Sequence, residues 1–222
     1  MFPVMLENLK DTNVTLIGGG SVAYHKVLNL QRFGIRPTVV SPAFHPSLLT
    51  LAREGTVRLV PKEAEWEDVE NAFLTILVTD NEKVNDQLAL QLKGAGKLVV
   101  HASTPSLGTA QIPAVTMRGK LVISVSTSGA SPSLAKKIRS EIAEQYDERY
   151  EEYLDFLADV RHYVKQHISK REDRKTWLAE AIEPIYLHDK EERQKFMNEL
   201  YYAFPIEHEL QDEAVLKVQC GF

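Results

Sequence analysis

Apolar residues fall in short continuous runs over the first hundred positions and at helical spacing over the last ninety or so. Runs at 13–17, Pro37–Pro42, Val57–Val60, Phe73–Val78 and Lys97–Val100 have the length of strands. Between them, Val22–Phe33, His45–Glu54 and 81–92 show one-sided helical patterns, closed by Gly34, Gly55 and Gly94-Ala95-Gly96. Strands alternating with helices in this way predict βαβ units and a parallel sheet. Phe73–Val78, apolar almost throughout, predicts a central strand buried on both faces. Residues 1–12 read as a lead-in whose Leu6 and Leu9 cover a sheet edge. Residues 61–70 read as a polar loop with a short helix around Trp66–Val69.

The pattern changes near Gly108–Pro113. Ala114–Met117 and Leu121–Ser126 flank Arg118-Gly119-Lys120, a hairpin signal with glycine in the turn. Ser131 and Pro132 then suit an N-cap and first helical position. The helical pattern runs from Leu134 to Ile168, but a single helix would exceed about 50 Å, so a break is expected at Gln145–Glu148. Ile138, Ile142, Tyr146 and Tyr150 form one stripe; Tyr153, Phe156, Leu157, Val160 and Val164 form another. Further helices are expected at 173–186, with Trp177, Leu178, Ala181 and Ile182 on one face, and at 189–203. A short strand is expected at Ala214–Val218. The predicted class is α/β, divided into 1–112 with a parallel sheet, a small central α+β domain at 113–146, and a helical domain at 147–222.

The first strand ends in Gly18-Gly19-Gly20-Ser21-Val22-Ala23. A glycine-rich turn between a strand and a helix is the arrangement of a Rossmann-type dinucleotide-binding domain. Gly18 permits the tight turn, Gly20 lets the backbone approach a pyrophosphate, and Ala23 lets the helix pack close to the strand. Ser21 and Val22 begin the helix whose free N–H groups and dipole favour an anion. Lys26 is placed either to approach a phosphate or substrate carboxylate or to sit in solvent. Ser41 follows the second strand, where an NAD site usually carries an acid to hold the ribose; no arginine directly after it offers to receive a 2′-phosphate. Thr79 and Asp80 follow the central strand and are expected at the cofactor, Asp80 alternatively as the cap of the next helix. Asn85 lies one turn further on.

Composition narrows the class. With 222 residues, 44% of them hydrophobic, the chain can bury a substantial core. A net charge of -5 argues against a general nucleic-acid binder. Cys220 is the single cysteine, so no disulfide forms within the chain. Met1–Glu7 lacks the basic and apolar regions of a signal peptide, and no apolar run is long enough for a bilayer. A cytoplasmic protein without a membrane partner is expected.

Candidate chemistry gathers at two loops. His101, at the end of the fifth strand, could exchange protons near neutral pH or be a packed, hydrogen-bonded side chain. Thr127-Ser128-Gly129-Ala130-Ser131-Pro132 is dense in hydroxyls, and Lys136, Lys137 and Arg139 follow it. Such a helix start could receive a ligand carboxylate, or be an ordinary cap.

Together these blocks resemble the precorrin-2 dehydrogenase family, the sirohaem-synthesis dehydrogenases, over about residues 2–168. The resemblance rests on Phe2-Pro3 with Leu6 and Leu9, Gly18–Ala23 with Lys26, Thr79-Asp80 with Asn85, Ile112-Pro113, and Ser126–Ala135. It implies NAD as cofactor, oxidation of precorrin-2 to sirohydrochlorin, and a homodimer joined through the central domain. Having no appended methyltransferase domain, the chain resembles the short bacterial type, which hands its product to a separate chelatase; a bifunctional dehydrogenase–chelatase and a non-catalytic NAD-binding sensor are the alternatives. Members carry an Asp after the fifth strand, and Ser103 occupies that position here, which weakens the case for metal insertion more than for hydride transfer. The resemblance makes His101, Ser103 and Ser124 the candidates for catalysis. Lys120, Ser126, Thr127, Ser128, Ser131, Lys136 and Lys137 are those for the eight-carboxylate substrate. No resident metal is expected. The nicotinamide is expected near Ser103 and Thr79, with the macrocycle against the Ser128–Ser131 loop and the C-terminal helices.

Overall fold

The computed structural model describes residues 2–206. The strand expected at Ala214–Val218, and Cys220, lie outside the described residues. The chain divides into two compact units, one up to Ile112 and one from Pro113.

The first unit runs β1 (Val14–Ile17), α1 (Ser21–Gln31), β2 (Thr38–Val40), α2 (Pro46–Arg53), β3 (Arg58–Val60), β4 (Leu74–Leu77), α3 (Glu82–Gly94) and β5 (Leu98–His101). Its five strands are parallel in the order β3-β2-β1-β4-β5, with Ile17 opposite both Val40 and Leu77. Because the strand period is two, alternate residues serve opposite faces. Val14, Leu16, Val39, Leu74, Ile76 and Val100 meet Ala23, Val27 and Leu30 of α1 and Leu48 of α2. Ile17, Val40, Leu77 and Val99 meet Leu88, Ala89 and Leu92 of α3. Both faces are therefore covered, as a parallel sheet requires. The order turns back at β1, so a crevice opens beyond the carboxyl ends of β1 and its neighbours. In the lead-in, Leu9 packs on the core but Leu6 is exposed, so only one of the two residues expected to cover the sheet does so.

Thr75 lies in the middle of β4 with no exposed surface, and its hydroxyl has no hydrogen-bond partner. Valine has the same shape without the buried polar atom. Thr75→Val is expected to raise stability by about 1 kcal/mol, read as a higher urea midpoint.

The second unit begins with an antiparallel hairpin, β6 (Ala114–Arg118) and β7 (Leu121–Val125). Gly119, in the left-handed region with φ 51°, makes the turn. The helix α4 (Pro132–Gln145) packs on the hairpin. It ends before α5 (Arg149–His167), at the expected break. The helices α6 (Arg171–Glu180), α7 (Pro184–His188) and α8 (Lys190–Ala203) close a second core on α5. Phe196 is its centre, edge-on to Phe156, Trp177 and Tyr186.

The helix expected over 173–186 is two helices. Proline disfavours helical backbone in the residue before it, and Glu183 is extended (φ -62°, ψ 143°) with Pro184 opening α7. No helix among the described residues is long and apolar enough to cross a membrane.

Candidate functional site

The crevice at the carboxyl ends of β1, β2 and β4 encloses about 580 Å³, within the usual range of small-molecule sites. Gly18, Gly20, Ser21, Val22, Ser41, Thr79 and Asp80 all line it, together with Gly19, Pro42–His45, Glu63, Ala64, Asn81 and Val84. Ala23 lies beneath, fully buried in the core. Lys26 is half-buried on α1 and is not part of the lining.

The glycines differ in what they do. Gly18 has φ 115°, a conformation side chains rarely adopt, and a Cβ there would lie 2.8 Å from the backbone of Val78 and Thr79. Gly19 is the tightest point. A Cβ would stand 2.1 Å from the Ala43 carbonyl oxygen and 2.9 Å from the Ser41 side chain. Its carbonyl accepts the His45 N–H at 2.7 Å, tying the glycine turn to the start of α2. A Cβ at Gly20 would meet nothing within 4 Å. That open space lies directly before α1, whose N-cap is Gly20 itself and which has no side-chain cap and no acidic residue in its first turn. The first amides of α1 are thus left to an anion.

Ser41 is buried and continues the parallel ladder, its N–H donating to the Val60 carbonyl at 3.2 Å. Thr79 lines the crevice, but its hydroxyl is engaged: it donates to Asn85 Oδ1 at 2.8 Å and accepts the Asn81 N–H at 3.1 Å. Asn85, buried, donates back to the Thr79 carbonyl at 2.8 Å. Asn81 rather than Asp80 caps α3, its side chain accepting from the Val84 N–H. The Asp80 carboxylate is therefore not drawn into the helix start.

His101 is not at the crevice. It is 2% exposed. Its Nδ1 accepts the Thr104 N–H at 2.9 Å, so that nitrogen carries no proton, and its Nε2–H donates to Asp86 at 3.0 Å. Both ring nitrogens are occupied, and through them His101 pins the loop after β5. Ser103 is exposed, with Oγ 3.5 Å from His101 Nδ1.

In the second unit the serine-rich loop is internally bonded. Thr127 Oγ1 accepts from the Ser131 N–H and donates to its carbonyl, both at 3.0 Å. Ser131 Oγ caps α4 through the Leu134 N–H. These two hydroxyls hold the loop's shape. Ser128 has a left-handed φ of 53° and bonds Ser126 Oγ through its N–H. Ser124, Ser126, Ser128, Lys136 and Lys137 are exposed. Lys137 lies 3.9 Å from Glu141. The Lys120 ammonium is 2.7 Å from Asp155 of α5, both side chains being exposed.

A parallel sheet with this order, a glycine turn feeding an uncapped helix, and a crevice at the switch point define a nucleotide-binding domain of the Rossmann type. The sequence profile described as putative NAD(P)-binding matches residues 5–114. Two more, described as sirohaem biosynthesis protein central and SirC C-terminal domain, match 118–145 and 150–196. Precorrin-2 dehydrogenase of Priestia megaterium is 31% identical over 90% of this chain and 98% of its own length. The enzyme of that name from Bacillus subtilis (strain 168) is 34% identical over 77% of this chain and all of its own. A solved structure, SirC, precorrin-2 dehydrogenase, superposes with a TM-score of 0.78 at 30% identity, covering 91% of this chain and 100% of that one. The chain belongs to the precorrin-2 dehydrogenase family.

Proposed function

We infer that this chain oxidises precorrin-2 to sirohydrochlorin with NAD, as a cytoplasmic homodimer whose product passes to a separate chelatase. The observation that carries the reading is the open space over Gly20 before the uncapped start of α1, in a chain matched almost end to end by precorrin-2 dehydrogenases. When bound, the cofactor supplies the hydride acceptor. The protein's part is to hold and orient. The amides of Ser21 and Val22 would take the pyrophosphate, Ser41 the adenosine ribose, and the backbone at Thr79 with the Asp80 carboxylate the other half of the dinucleotide. Gly18 and Ala23 shape the turn and its packing, Gly18 also lining the crevice. Lys136, Lys137, Ser126 and Ser128 are the exposed groups suited to substrate carboxylates, with Ser124 beside them on β7. Ser103 offers a hydroxyl where the family resemblance places a carboxylate, which suits dehydrogenation without metal insertion.

The test is an anaerobic incubation of the purified protein with fresh precorrin-2 and NAD⁺. The sirohydrochlorin spectrum is expected to grow in with a stoichiometric rise in NADH. Addition of Co²⁺ to sirohydrochlorin with the protein is expected to give no faster spectral change than without it. Dinucleotide binding without turnover would sink the enzymatic reading in favour of a sensor.

A further inference from the structure

The crevice has no acidic residue at the end of β2, where a Rossmann site usually grips the adenosine ribose, because Ser41 stands there. A carboxylate reaches the same crevice from the next strand. β3 ends at Val60, and Pro61 breaks the strand. The Lys62 N–H then folds back onto the Val60 carbonyl at 3.1 Å, the same oxygen that receives the Ser41 N–H at 3.2 Å. One carbonyl thus joins the end of β2 to the loop after β3, and that loop delivers Glu63 and Ala64 to the lining beside Ser41.

The surrounding charges favour the same conclusion. Lys62, the cation next to Glu63, points elsewhere. Its ammonium is 2.8 Å from Glu65 and 3.1 Å from Asp68, and those hydrogen bonds, Glu65 first, raise its pKa above the ordinary lysine value. Glu65 and Asp68 are themselves fixed as a reciprocal capping box around the Trp66–Asp68 turn. Glu63 has no ion pair among the described residues. Among the described residues the lining contains no lysine or arginine, and its one basic side chain is His45, whose Nδ1 accepts the Ser47 N–H. A 2′-phosphate would enter this end of the crevice against a carboxylate and without a cationic partner.

We propose that Glu63 is the residue that sorts NAD from NADP here, taking the place of the missing acid at position 41. Its carboxylate accepts from the ribose 2′-hydroxyl of NAD and repels the 2′-phosphate of NADP. The proposal rests on the dinucleotide reading above.

The test uses the full-length chain, with NAD⁺ and NADP⁺ binding measured by titration calorimetry at low ionic strength for the parent, Glu63→Gln and Glu63→Ala. The parent is expected to prefer NAD⁺ by about tenfold or more. Both variants are expected to weaken NAD⁺ and strengthen NADP⁺, so that the ratio falls about tenfold, with melting temperatures unchanged because the side chain is exposed. A ratio in Glu63→Gln within about twofold of the parent, or a parent that prefers NADP⁺, overturns the role of Glu63 while leaving the dehydrogenase intact. A parent that binds neither dinucleotide overturns both.

Discussion

Gly19→Ala is expected to destabilise the N-terminal unit by about 3 kcal/mol or more, whereas Gly20→Ala leaves stability within about 0.5 kcal/mol of the parent and weakens dinucleotide binding. The first effect follows from backbone against backbone. A methyl group at 19 would sit 2.1 Å from the Ala43 carbonyl oxygen, which no rotamer can relieve. Moving that oxygen means moving the β2–α2 connection, which is itself held by the bond from the His45 N–H to the Gly19 carbonyl. The second effect follows from empty space. At position 20 the backbone has φ -80°, open to alanine, and the new Cβ touches nothing. It would instead occupy the approach to the first amides of α1. A loss of NAD⁺ affinity of about tenfold or more is expected, since hydrogen bonds to a charged phosphate are among the strong ones. Urea melts and calorimetry on the two variants separate the effects. A Gly20→Ala protein that binds NAD⁺ like the parent would show that no pyrophosphate passes over this position.

His101→Ala is expected to cost about 3 kcal/mol, from the cavity left by a buried ring and from a Thr104 N–H stripped of its acceptor. Activity should fall with it, because the loop after β5 loses its pin. At a temperature where the variant stays folded, the shape of its pH–rate profile should match the parent's. A proton carrier would give the opposite pair of results: normal stability and the loss of one limb of the profile. The geometry favours the first outcome, since Asp86 and Thr104 occupy both ring nitrogens.

That contrast shows what the sequence could disclose. The sheet was readable because each strand is a short apolar run closed by turn residues, and the observed strands fall within a residue or two of those runs. The break between α4 and α5 followed from length alone. The division at Pro184 was signalled by the proline but hidden by the apolar stripe through Trp177, Leu178, Ala181 and Ile182. Ile182 in fact faces solvent. In the crevice, the residues at strand ends could be placed by the rule that ligands bind there. Glu63 could not, because its position depends on a fold-back bond after β3 that leaves no mark in composition or period. The same holds for Gly19 against Ala43, for His101 with Asp86, and for Lys120 with Asp155. Each is a contact between residues distant in the chain.

The rim at Thr79 has a consequence for how a dinucleotide would dock. Thr79, Asn81 and Asn85 close their hydrogen bonds on one another, with Asn85 buried behind them. The rotational freedom of this segment is given up when the domain folds, not when a ligand lands. The dinucleotide therefore meets a finished surface at this edge, and its association there resembles a key entering a cut lock more than a strand ordering around a guest.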